Sequence, residues 1–136
     1  MEAKDTRIYM IVDTEKIKPG NEDECVELKD DRDNRNPRKD PENFLSVVNP
    51  QKNVFWFGQP KDRPQDTIGI IGIENKSGSE HNFLKDKRND PSDRGAYMAE
   101  VKTGFEDGME SSYNIIFEIK GRNGQFTVDP KLMMKT

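Results

Sequence analysis

The chain gathers its apolar residues into short, dense runs separated by long polar stretches. Arg7 to Asp13 (RIYMIVD) puts Ile8, Met10 and Val12 on one parity and Tyr9 and Ile11 on the other, which is a strand apolar on both faces. Phe44 to Val48 and Asn53 to Phe57 are the next two strands, divided by the turn pair Asn49-Pro50. In the second of these, VFWF sets Val54 and Trp56 on one side and Phe55 and Phe57 on the other. Thr67 to Ile73 (TIGIIGI) is β-branched, and each interior glycine would cost a helix about 1 kcal/mol, so a buried strand is expected. Ala96 to Lys102 alternates Tyr97, Ala99 and Val101 with Met98, Glu100 and Lys102, the pattern of a half-buried strand.

Between these runs lie charged spacers. From Asn21 to Asn43, 14 of 23 residues are charged and prolines interrupt twice, which predicts a solvated loop over about 20–43 with a short strand around Cys25 to Leu28. The stretch NFLKDKRNDPSDR is again charged and rich in turn residues. The strongest local signal closes the chain. In YNIIFEIKGRNGQFTVDP the pair Asn123-Gly124 suits a two-residue type I′ hairpin turn, which would set Gly121 opposite Phe126 and Ile119 opposite Val128. One face then collects Tyr113, Ile115, Phe117, Ile119, Phe126 and Val128.

No segment sustains a helical period with caps. Some eight to ten short strands predict an all-β fold: an antiparallel β-sandwich, Ig-like in the broad sense, in one domain over 1–136 that ends in the hairpin. Length agrees with a single core. Leu, Ile, Val and Phe number 28 of 136 residues, close to the level where disorder begins, so it is their clustering that makes a core attainable.

The net charge of −4 is spread over 26 acidic and 22 basic residues, without the basic stripe that would neutralise phosphates, so no nucleic-acid partner is expected. No apolar run approaches the roughly 18 to 20 residues needed to span a bilayer, and the start MEAKDTR is charged, so the expected location is cytoplasmic and away from membranes. Catalysis has little to draw on: one His, one Cys, no nucleophile elbow and no P-loop. Cys25 lies beside Glu24 and Glu27, whose charge disfavours a thiolate. The run from Asp31 begins like an EF-hand loop but puts Arg35 where an oxygen ligand belongs, so neither metal nor cofactor is expected. A carbohydrate site would need an aromatic platform with carboxylates around it; Trp56 with Asp13, Glu15 and Asp129 supplies the residue types, against the alternative that Trp56 is the central core aromatic. A protein partner docked by the charged loop is a further alternative.

A two-layer sandwich requires only one apolar face per strand. Here RIYMIV, VFWF and TIGIIGI are apolar on both, and the surplus would expose a patch of several hundred Å². Phe55, Phe57 and Ile71 are therefore the expected self-association residues, with a second copy of the chain as the simplest partner. The alternative is mixed packing within one subunit.

Three segments also carry a family likeness. IVDTEKI, NPRKDPENF and YNIIFEIKGRNGQFTVDPKLMM resemble the N-terminal strand, the N-P-x-x-D-P segment and the closing hairpin of the bacterial PixA/AidA inclusion-body proteins. The matching positions are Asp13, Thr14 and Glu15; Asn36, Pro37, Asp40 and Pro41; and Tyr113, Phe117, Asn123, Gly124, Phe126, Asp129 and Pro130. The resemblance covers about a third of the chain. It implies a soluble, non-enzymatic β-sandwich protein that assembles into ordered intracellular inclusions, with no catalytic residues to carry over.

Overall fold

The computed structural model describes residues 4–32, 44–76, 81–90 and 95–135. Among them, in chain order, are β1 Thr6–Val12, α1 Glu22–Cys25, β2 Val26–Asp30, β3 Leu45–Val48, β4 Asn53–Pro60, β5 Ile68–Asn75, β6 Leu84–Asn89, β7 Tyr97–Val101, β8 Glu110–Ile119, β9 Phe126–Val128 and β10 Lys131–Met134. The strands form two sheets: β2-β1-β4-β7-β6, and β3-β10-β8-β5 with β9 also on β8. The all-β expectation holds. Its inner faces meet at Trp56 of β4 and Tyr113 of β8, both buried, where the indole Nε1–H donates to the phenol oxygen at 3.0 Å and the rings meet edge-on at 5.8 Å. Each large aromatic thus keeps its polar atom satisfied inside an apolar layer. Burial also raises the Tyr113 pKa well above that of a free phenol.

The expectation of wholly antiparallel sheets needs correction. β1 runs parallel to β4, and β10 runs parallel to β3. The cause is visible at Asn49-Pro50: β3 belongs to the second sheet and β4 to the first, so this turn carries the chain between layers instead of closing a hairpin. Pro50 and Gln51 form its corner, with Gln51 at φ 66° and Lys52 N–H donating to the Asn49 carbonyl at 3.3 Å. Asn49 itself is buried. Its amide accepts from Lys4 N–H at 3.1 Å and from the Arg32 guanidinium, and donates to the Lys135 carbonyl at 2.6 Å, holding both ends of the described chain to the turn.

The C-terminal register also differs from the expected one. Phe126 pairs with Phe117, and Val128 with Ile115, in place of Gly121 and Ile119. The shift is four residues, an even number, so every side chain stays on the face assigned to it, and Tyr113, Ile115, Phe117, Ile119, Phe126 and Val128 are all buried. β8 carries β5 along one edge and β9 then β10 along the other, so Phe117 pairs with Ile70 and with Phe126 at once, and the last two residues of β8 are left unpaired on the β9 side. Residues 120–125 then form a wider loop in which Gly121 and Gly124 have positive φ and Asn123 does not, so no type I′ turn forms.

Two spacers prove to be structured in part. Val26–Asp30 pairs with β1, and the single turn Glu22–Cys25 precedes it; residues 33–43, with Asn36, Pro37, Asp40 and Pro41, lie outside the described residues. Leu84–Asn89, expected as turn-rich, is the edge strand β6. Its charge follows from that position, since lysines and a bulge with Asp86 at φ 54° discourage a further strand from pairing there.

Candidate functional site

The outer face of the first sheet is where the surplus apolar surface emerges. On β1 and β4 the residues Ile8, Met10, Val12, Val54 and Trp56 point inward and are buried, which turns Arg7, Tyr9 and Ile11, and Phe55, Phe57 and Gln59, outward. Strand register aligns these into rows. One row reads Asp31, Arg7, Phe55, Met98, Arg88 from the β2 side to the β6 side. The next reads Lys29, Tyr9, Phe57, Ala96, Asp90.

The centre of the face is aromatic. Tyr9 and Phe57 stack at 5.4 Å, Phe57 and Phe55 at 6.5 Å, and the Arg7 guanidinium lies 5.5 Å from the Phe55 ring centroid. Phe55 and Phe57 are partly exposed, and so are Tyr9 and Ile11. Beside Phe57 stand the small residues Ala96 and Gly95 just before β7, and here lies an open hollow of about 340 Å³, lined among the described residues also by Arg7, Tyr9, Phe57 and Gln59. Two glycines in its lining serve the packing behind the sheet. A Cβ on Gly58 would come within 2.4 Å of Ile68 Cγ2, and one on Gly95, at φ 85°, within 2.7 Å of the Ile68 carbonyl oxygen. Both let β5 of the second sheet approach closely.

Of the residues expected to mediate self-association, Phe55 and Phe57 lie on this face together. Ile71 does not: it sits 40% exposed on β5, in the other sheet, at a bulge between Ile70 and Gly72. Tyr9, Ile11 and Met98 complete the apolar face and went unassigned as site residues. The two-sided pattern of RIYMIV already pointed to the first two.

The residues expected to form a sugar site are dispersed. Trp56 is 1% exposed, so its ring is core and not a platform. Asp13 shapes a turn, accepting from Glu15 N–H at 3.2 Å through its side chain and from Ile17 N–H at 3.1 Å through its carbonyl, and Glu15 is exposed. Asp129 pairs with Lys76 at 2.6 Å.

The D-T-E and N-G segments instead meet in a structural clasp. Buried Thr14 donates its hydroxyl to Asp66 at 2.6 Å, and Arg122 donates to both the Thr14 carbonyl and Asp66. The Thr14 hydroxyl, then the Arg63 and Arg122 guanidiniums, hold the Asp66 pKa below the ordinary carboxylate value against the opposing effect of partial burial. His81 packs edge-on to Phe105 at 5.9 Å in a loop, and Cys25 is buried. Among the described residues no group of three or more His, Cys, Asp or Glu is placed to hold a metal ion, and no helix is long and apolar enough to cross a membrane.

No family model matches the chain, and no curated protein matches it in sequence. A solved structure does match it nearly end to end: an inclusion body protein, PixA, from Burkholderia cenocepacia J2315, with a TM-score of 0.69 over 99% of this chain and 98% of that one, at 11% sequence identity. The chain shares its fold with this PixA protein. The likeness covers the middle of the chain as well as its ends, so the mixed sheets described above belong to the same architecture as PixA.

Proposed function

We propose that the protein is a non-enzymatic, self-associating protein of the cytoplasm that accumulates as ordered oligomers or inclusions, and that copies join through the outer face of the first sheet. The observation that carries this reading is the row of Tyr9, Phe57 and Phe55, stacked on one another yet partly open to water on a sheet whose other face already supplies the core. Apolar sheet faces of this kind usually meet a partner. The shared fold with a protein described as an inclusion body protein supports the same reading. Size-exclusion chromatography with light scattering tests it. The wild type should show a mass above 15.7 kDa that grows with loading, and Phe57→Ser should elute as a folded monomer. A wild type that stays monomeric at every concentration would end the proposal.

A further inference from the structure

The pattern of charge around the aromatic row specifies how a second copy would sit on it. Along the β2 side of the face, Asp31, Lys29 and Glu27 alternate in sign, and along the β6 side Arg88 and Asp90 do the same, in the opposite phase row by row. Between these rims lie the rings of Tyr9 and Phe57 and the hollow they help to line, which reaches across β4 from Arg7 and Tyr9 to Ala96 and Gly95.

Resting on the self-association reading, the geometry points to a closed dimer about a two-fold axis parallel to β4, the central strand of the sheet. This rotation lays β2 of one copy over β6 of the other while keeping each row on its counterpart. Asp31 then faces Arg88 of the second copy, and Lys29 faces its Asp90. Tyr9 enters the hollow beside Ala96 and Gly95 of the second copy, while Phe55 and Phe57 close on their own counterparts. Charge, shape and apolar contact agree in a single placement, as an isologous interface requires.

A two-fold axis across the strands would bring Asp31 to Lys29 and Arg88 to Asp90. It leaves Tyr9 over the bulky Arg7 at the β1 edge of the hollow and away from the open end at Ala96 and Gly95, so the axis along β4 is the better fit. The footprint is small. With strands about 4.8 Å apart and outward rows about 6.8 Å apart, the face offers on the order of 500 Å² per copy, at the low end for specific interfaces. The dimer should therefore be weak and form as the protein accumulates.

Sedimentation equilibrium at low salt on charge variants tests the arrangement, with circular dichroism confirming that each variant folds. Lys29→Asp or Asp90→Lys alone should weaken the dimer about tenfold, and the two together should recover most of that loss. Lys29→Asp with Asp31→Lys should be worse than either single change, because like charges then meet on both rows. Recovery in that second pair instead would overturn this axis in favour of the one across the strands. Dimers that Phe57→Ser abolishes but that show no coupling between Lys29 and Asp90 would overturn the arrangement alone. A monomeric wild type would overturn the arrangement and self-association together.

Discussion

The two faces of β4 carry almost the same chemistry and meet opposite fates. Inward, Val54 and Trp56 are sealed by the second sheet, and Gly58 gives way to Ile68. Outward, Phe55 and Phe57 are just as apolar, and among the described residues their neighbours are Arg7, Tyr9 and Met98, which leave them partly exposed. The hydrophobic effect does not distinguish the two sides of a strand; the supply of covering surface does. A chain with few apolar residues thus places three aromatics, Tyr9, Phe55 and Phe57, on the outer side of a sheet whose core lies on the inner side, and that placement is what motivates the proposed association.

The largest effects should come from the inner side. Trp56→Ala removes the indole that joins the layers and strands the buried Tyr113 hydroxyl, at a cost of about 3 to 5 kcal/mol; urea unfolding should show it. Ile119→Ser, on the same inner layer, should cost about 2 to 5 kcal/mol. Gly95→Ala comes next. It forces a side chain into positive φ and against the Ile68 carbonyl, for about 1 to 3 kcal/mol, and unfolding midpoints should fall with the outer face chemically unchanged. On the outer side, Phe57→Ser should change monomer stability by less than about 1 kcal/mol while abolishing association. Ile71→Ser should leave the dimer intact, since Ile71 belongs to the other sheet.

The clasp that joins the D-T-E turn to the C-terminal loop should respond to acid. Because the folded Asp66 pKa is depressed, its stabilising contribution is full above the ordinary carboxylate value and is lost as pH falls through the folded value. Thr14→Val, which removes the principal cause of the depression, should flatten the acid limb of stability against pH.

Much of this architecture could be read in the residues. Period-two alternation located the strands, and the doubled faces of RIYMIV and VFWF foretold an apolar outer surface. Parity also placed every side chain of the C-terminal hairpin on its proper face. It could not fix the register there, because a slip of four residues keeps parity and leaves every side chain on the same face. Nor could local turn chemistry show that Asn49-Pro50 changes sheets, since the same corner serves a hairpin or a crossing between layers. Charge misled at β6, where an edge strand resembles a loop. Ile71 groups with Phe55 and Phe57 in the sequence because TIGIIGI is also apolar on both parities, and the sheet order separates them.

The concentration dependence of unfolding tests the central claim most directly, because it registers stability and association in one curve. If the outer face of the first sheet joins copies of the chain, the wild-type urea midpoint should rise with protein concentration and that of Phe57→Ser should not. A wild-type midpoint that stays constant over a hundredfold range, coinciding with that of Phe57→Ser, would contradict the account.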